Sequence, residues 1–530
     1  MSAPAIPPSA ASPSTSHASR VLIVLASAAL IVSFIETMLT PALPRLATFF
    51  SNAPYTTVAW ILSAYLLVGV ATIPIFAKLG DLYGKRRILG VVLVVYTFAV
   101  AIAPATPLLG PWLGLDRAAS IYLLIAVRGV QGVGLAMFPL ALAMVAEALP
   151  RERVAPAQGI VAAMFAVGSG FGLVGGAWLI ESFGWQVAYA SMLPFVVVLP
   201  ILAAYWLPEG HRGTGGRIDL PGAGLLAGAL ATFLLALTLG PTWGWGRWVG
   251  ALAAGWPVGA PELFVLAGLF LAGFLVRSGR VAEPLLDLGR FRERNIALAY
   301  LGATLVGLAM FVAFVVLTVL VEFPVVGLGE SVLAFGLLSI PTTLSMFVAA
   351  PLVGRGITRF GPRPMILTGA ALSGVGFLLL LAFHTTYLEM ISEAVPTFVG
   401  LVAVLVSVTN VIAMAARHDD RGIQMGMTET FQDLGASVGP VVVAALLATF
   451  TRVALVPDAA VPGGVASVVV PSAAAFSWIF AVGVAIAVLL GLVGAFLTNF
   501  RAAEAAAGVP ANGGSAPAPE GSGPSTTAPS

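Results

Sequence analysis

The sequence predicts an all-α membrane protein of fourteen transmembrane helices, and three observations carry that prediction. Of 530 residues, 59% are hydrophobic and only 9% are charged, where soluble domains carry roughly 25% charged residues; the mean hydropathy is +1.02. Fourteen runs are long and apolar enough to cross a hydrocarbon core roughly 30 Å thick, which takes about 20 helical residues. Lysine and arginine concentrate in every second loop between those runs. Composition also excludes: there is no cysteine, hence no disulfide, thiolate nucleophile or thiolate metal site. A net charge of +2 from 25 basic and 23 acidic residues gives no basis for a nucleic-acid partner.

In chain order, residues 1–19 are rich in Pro, Ala and Ser and form an expected disordered tail, as do residues 501–530; neither buries enough apolar surface to offset ordering entropy. The spans fall near 21–47, 57–77, 88–105, 120–148, 156–180, 186–206, 219–240, 262–277, 295–321, 331–353, 364–383, 391–415, 424–450 and 472–499. Arg20 before an apolar run also fits a signal peptide, but no A-x-A site closes it. With the N-terminus cytoplasmic, fourteen spans return the C-terminus to the cytoplasm. Twenty of the 25 cations then lie in internal loops and tails and four, Arg45, Arg117, Arg247 and Arg452, in external ones, with Arg128 left inside a helix. That asymmetry satisfies the positive-inside rule. The Trp- and Gly-rich stretch 241–259 reads as an interfacial scaffold, since indoles favour the headgroup region.

Two loops resemble each other. "AKLGDLYGKRR" (Ala77 to Arg87) follows the second span and "GRGITRFGPRP" (Gly354 to Pro364) the tenth, each with a glycine (Gly84, Gly361) and an arginine two residues later (Arg86, Arg363). A repeated loop implies two six-helix halves, here 20–207 and 295–500, with two helices inserted in 208–294.

The first of these loops resembles the signature of the major facilitator superfamily, through Leu79, Asp81, Gly84, Lys85 and Arg86, with Ala77 where a glycine is usual. Arg128, Gln131 and Gly132 in "RGVQG" resemble its fourth-helix motif. "ETMLTPALP" (Glu36 to Pro44) and "WILSAYLL" (Trp60 to Leu67) are similar to the first and second helices of the 14-helix drug:proton antiporters. In their fifth-helix motif Gly168, Gly172 and Gly176 fit, but Leu173 replaces a proline and Ala177 a glycine, which weighs against antiport; Gly435, Gly439 and Pro440 give a related pattern in the thirteenth span. Small residues four apart let helix backbones approach closely.

The resemblance implies a major-facilitator fold and rocking of the halves about a mid-membrane site. A charge near the bilayer centre costs about 2.5–3.5 kcal/mol on insertion scales, so it usually faces a cavity. Glu36 lies fifteen residues past Val21, about 22 Å from the inner face; Arg128, eight residues past Ser120, enters from outside and lies about 18 Å from that face. Glu36 is expected to carry the coupling proton and attract cations, with Arg128 and Gln131 as partners; a fixed Glu36–Arg128 ion pair is the alternative. Trp60 and Tyr65 are cavity candidates or packing residues. Asp81 is expected to face the thirteenth helix's N-terminus, with Arg86 or Arg87 pairing Glu147, as a cytoplasmic latch between the halves; solvated topology charges are the alternative for the cations. Glu429 and Asp433, four apart on one helix face, with Gln432 between them, extend the latch, provide a second protonation site or are solvated; Glu389 and Glu393 read as solvated near the outer surface.

No phosphate loop, catalytic triad or metal-ligand spacing is present among these motifs, so no enzyme, cofactor or metal is expected. The expected function is proton-coupled export of amphipathic or cationic small molecules, by a monomer in the cell membrane. A metabolite facilitator or proton symporter is the alternative within the class. A membrane scaffold or sensor would act through tails that lack charge blocks.

Overall fold

A computed structural model describes residues 15–209, 219–245, 259–282, 284, 288–323, 327–415, 421–457 and 465–498. Among them fourteen helices are long and apolar enough to cross a membrane: α1 (Ala18–Phe49), α2 (Tyr55–Ile73), α3 (Lys85–Trp112), α4 (Ser120–Ala148), α5 (Pro156–Phe183), α6 (Trp185–Trp206), α7 (Leu220–Trp243), α8 (Ala260–Ser278), α9 (Arg294–Glu322), α10 (Val332–Phe360), α11 (Pro362–Ala382), α12 (Tyr387–Ala415), α13 (Met427–Thr449) and α14 (Ala473–Phe496).

Helix ends differ from the apolar runs because greasiness sets where a span lies, whereas backbone conformation sets where a helix stops. Helix begins at Thr15, within the tail expected to be disordered; residues 1–14 and 499–530 lie outside the described residues, as does most of the tryptophan-rich stretch, 246–258. The helix of α2 continues to Tyr83 and α10 reaches Phe360, each ended by a glycine in the left-handed region, Gly84 at φ 97° and Gly361 at φ 88°, where a side chain would be strained. Between α13 and α14 an antiparallel hairpin, β1 (Thr451–Pro457) and β2 (Val465–Pro471), sets Val453 opposite Val469. The helix-length reading of the sequence left this β-branched segment unassigned.

Each half is held by a seam of small residues. A Cβ on Gly168 would strike the Leu30 carbonyl and Ser33, one on Gly172 would strike Thr37 and the Phe34 carbonyl, and one on Gly176 would come within 2.6 Å of Met38, so α5 lies backbone to backbone on α1. Ser33 Oγ donates to the Phe165 carbonyl at 2.7 Å and Thr37 Oγ1 to that of Ser169 at 2.9 Å. The second half repeats the device: Gly435 abuts the Thr304 carbonyl, Gly307 the Gln432 carbonyl, and a Cβ on Gly439 would meet Phe311 at 2.7 Å. Pro440 lies in the same helix, α13. Close approach of this kind replaces the hydrophobic drive that lipid cannot supply.

Between halves, α2 packs along α13 through Ala59, Val441 and Ala444, and α5 meets α10 where Gly336 comes against Ala177 and the Leu173 carbonyl. Leu173 and Ala177, the two departures from the family motif, are therefore buried at the junction of the halves. The buried residues of α10 crowd its first turns (Val332, Phe335, Gly336, Leu338, Ser339, Thr342), and only Ala349 and Ile357 follow. Gly159 on α5 and Gly354 on α10 face open space. The halves thus meet at the face bearing Arg45 and part at the face bearing Gly84 and Gly361, which also carries most of the cations and is termed the basic face. The inserted α7 lies beside α2 and α13, with α8 packed on α7 and tied to it by Asp219, which caps α7 through Gly222 N at 2.9 Å and accepts Arg277 Nε at 2.6 Å.

Candidate functional site

Arg128 is fully buried, and its guanidinium is placed by four residues on three helices. Nε donates to the Ile61 carbonyl of α2 at 3.1 Å, and Nη1 donates to Gln131 Oε1 and to Tyr189 Oη on α6, both at 3.1 Å. Tyr189 donates in turn to Gln131 Oε1 at 2.8 Å, and the Tyr65 ring lies 4.4 Å from the guanidinium carbon. Such a cation–π contact is worth up to about 2 kcal/mol where water is excluded. Nη2 of Arg128, Nε2 of Gln131 and the Tyr65 hydroxyl are buried without hydrogen-bond partners. This leaves two N–H donors and a hydroxyl for a ligand group that accepts hydrogen bonds.

Glu36, on α1 between Ser33 and Thr37 of the seam, makes no hydrogen bond to Arg128: its Oε2 is buried and unpartnered. Its carboxylate lies within electrostatic reach of Arg128 and, across the junction of the halves, of Glu429 and Asp433 on α13. Tyr65 is within reach of both Glu36 and Asp433. Glu429 and Asp433, half-buried and eight and twelve residues past the helix start at Arg421, thus lie within electrostatic reach of Glu36 rather than at a frayed helix start. The three carboxylates do not group closely enough to hold a metal ion. One helical step round α13, Thr430, Phe431 and Leu434 line a separate apolar cavity of about 470 Å³ bounded also by Val70 of α2 and Leu226 of α7.

Other expected residues fall elsewhere. Trp60 is no cavity residue: its indole donates to Thr238 Oγ1 at 2.8 Å and anchors α2 to the inserted α7. The expected latch pairing is replaced. Lys85, rather than Arg86 or Arg87, joins Glu147, and it also pairs Asp81 at 2.9 Å; Arg86 donates to the Ala204 carbonyl of α6, and Arg87 is exposed. The cause is helical phase. Gly84 starts α3 at Lys85, which brings that ammonium, not the next two cations, over the ends of α2 and α4. Asp81 is turned to Lys85 with its side chain 58% exposed, not onto the start of α13, because the halves are apart at this face. Leu79 packs on the core. Arg363 opens α11 after Gly361. At the Arg45 face, Glu389 accepts from Thr385 N and Thr386 N at 2.9 and 3.0 Å, and Glu393, expected to be solvated, is buried one turn further into α12 with Oε2 unpartnered.

Tyr189 escaped the sequence reading, because one tyrosine in an apolar span has no motif around it. The usable signal was a hydroxyl-bearing ring in a helix that must cover the buried Arg128.

The sequence profile of the Major Facilitator Superfamily matches residues 25–339 and 314–524. The chain belongs to the major facilitator superfamily. As a member of that superfamily it is a multi-pass membrane transporter of small molecules and not an enzyme. It is 28% identical over 442 residues to the multidrug efflux pump LfrA of Mycolicibacterium smegmatis, covering 81% of each chain. It is 25% identical over 394 residues to the multidrug transporter protein MdtP of Bacillus subtilis, 73% of this chain and 68% of that one. With the tetracenomycin C resistance and export protein of Streptomyces glaucescens it shares 27% identity over 415 residues, 75% and 70% of the two chains. In three dimensions it resembles the xylose transporter XylE of E. coli in a partially occluded inward-open conformation, with a TM-score of 0.59 at 13% identity, covering 92% of this chain and 99% of that one. That likeness speaks for the fold.

Proposed function

We propose that this transporter exports amphipathic, cationic small molecules in exchange for protons, working as a monomer in the cell membrane with both termini cytoplasmic and the basic face inward. The observation that carries the reading is Glu36, unpartnered on α1, within electrostatic reach of the buried Arg128 in its own half and of the carboxylates Glu429 and Asp433 in the other. Several unpaired carboxylates cannot stay charged together in a dry site, so protons or a cationic substrate must neutralise them. Occupancy by one excludes the other, and that competition is the coupling. The Tyr65 ring beside Arg128 suits rings and alkyl groups, and the relatives named for multidrug export agree with this substrate class.

The halves 20–207 and 295–500 rock against each other, with the segment 208–294 riding on α2 and α13. In the state described, the halves meet at the Arg45 face and part at the basic face. The hub at Lys85 rearranges when the basic face closes, bringing Asp81 toward α13. A facilitator or proton symporter for a metabolite is the second reading, favoured by Leu173 and Ala177 where the antiporter pattern has proline and glycine.

Proteoliposomes with an imposed proton gradient test the choice. Export predicts movement of a cationic dye against its gradient that stops when the proton gradient is dissipated. Concentrative uptake of one polar metabolite, with dyes unmoved, would establish the second reading.

A further inference from the structure

The Arg45 face holds a second charge cluster, apart from the central site, part-exposed at Arg45 and Glu181 and buried at Glu322. Arg45 Nη2 pairs with Glu181, at 2.7 Å to Oε2 and 2.8 Å to Oε1, and Glu181 Oε2 also accepts the Val332 backbone N–H at 3.1 Å. That contact ties α5 of one half to α10 of the other. The guanidinium is therefore committed to Glu181. A further carboxylate, Glu322, ends α9 in the same cluster; it is 9% exposed, lies within electrostatic reach of both Arg45 and Glu181, and its Oε1 is buried with no hydrogen-bond partner. From the first half the Tyr55 hydroxyl, also buried and unpartnered, is within reach of Glu322, and its ring stands edge-on to Phe323 at 6.3 Å. The remaining titratable groups of this region lie further out: Glu330 is exposed on the loop after α9, within reach of Tyr387, which donates to the Ala334 carbonyl at 2.6 Å.

With Glu322 ionised, the closed gate holds two carboxylates against one guanidinium and leaves a carboxylate oxygen dry. A proton on Glu322 makes the cluster neutral and gives that oxygen a hydrogen to donate. We propose that Glu322 is a proton-binding lock on the Arg45-face gate: as the halves close there, its carboxylate takes a proton from the solution on that side, and as they part it returns the proton to the same solution. The inference rests on the alternating-access reading, but it assigns Glu322 a different task from Glu36. A proton that goes back where it came from drives no transport. It sets only the balance between the two states, so acid on the Arg45 side holds that gate shut and alkali frees it.

The absence of cysteine from the chain makes the test direct. Ala42, wholly buried where the Thr40–Ala42 turn packs on α10, is replaced by cysteine in the full-length protein in everted and right-side-out vesicles. Its modification by a membrane-impermeant maleimide from the Arg45 side reads gate opening without any transport step. With Glu322 present, the Ala42→Cys rate divided by the Val453→Cys rate at the same pH, which removes the thiol's own ionisation, should rise as that side is made alkaline, by up to about tenfold per pH unit for one proton. In Glu322→Gln it should be low and flat with pH, and Glu322→Asp should restore the dependence. A Val453→Cys reporter on the exposed hairpin should label equally in every variant, which confirms folding and delivery. The same pH dependence in Glu322→Gln as in the parent, or none in the parent, would overturn the lock while leaving Glu36 coupling intact. Absence of Ala42→Cys labelling at every pH, with Val453→Cys fully reactive, would overturn alternating access and the lock with it.

Discussion

The turns at Gly84 and Gly361 are the same piece of backbone carrying different chemistry. Both end a long helix, both place glycine at positive φ, 97° and 88°, and both start the next helix at once. Around Gly84, however, Lys85 binds Asp81 and Glu147. In the second loop the places of Asp81 and Lys85 are taken by Thr358, which bonds only to its own helix at the Arg355 carbonyl, 2.7 Å away, and by Pro362. The turn is common to both halves, whereas the Lys85–Asp81–Glu147 network is seen at the first. Around Gly84 the charges are held to one another, whereas the same places around Gly361 carry no carboxylate.

Substitutions that separate turn from charge sharpen this contrast. The largest effect is expected for Lys85→Met, which leaves Asp81 and Glu147 facing each other at the end of α2. Transport of a cationic dye should fall by about tenfold, corresponding to ~1.4 kcal/mol on the rate-limiting state. Arg363→Met in the second loop should leave it within about twofold, and equal losses from the two would erase the distinction between the loops. Alanine at either glycine comes next. Gly84→Ala and Gly361→Ala should each cost about 1–3 kcal/mol of stability, read as matching drops in thermal unfolding temperature in detergent, because backbone strain takes no account of neighbouring charge. A loss confined to Gly84 would mean that the charges, not the conformation, require the glycine. Smallest is Thr358→Ala, expected within about 0.5 kcal/mol of the parent; a larger change would reveal a partner for the second loop.

The same comparison shows what a sequence discloses. Apolar runs give the spans and glycines give the turns, since each follows from local composition. Glu36 and Arg128 stand out as charges in apolar runs. The partner of Glu147 does not, because lysine and two arginines in succession differ only in helical phase, about 100° per residue, and the phase is fixed by where Gly84 lets α3 begin. For Glu429 and Asp433 the sequence left a latch, a second protonation site and solvation open; helix that extends back to Arg421, three residues beyond the expected start, sets them inside the helix rather than at its end. Tyr189 and Glu322 became legible only once helices distant in sequence were set side by side. Trp60 misled for a related reason: the inserted α7, which it bonds, has no counterpart in a two-half pattern.

The central claim is that proton and cationic substrate compete for the carboxylates around Glu36. It is tested most directly by adding a cationic substrate to purified protein in weakly buffered detergent solution and measuring proton release. The parent should release protons on saturation, and Glu36→Gln should release fewer by about one per molecule and bind the cation more weakly. Undiminished release from Glu36→Gln, with unchanged affinity, would contradict the account.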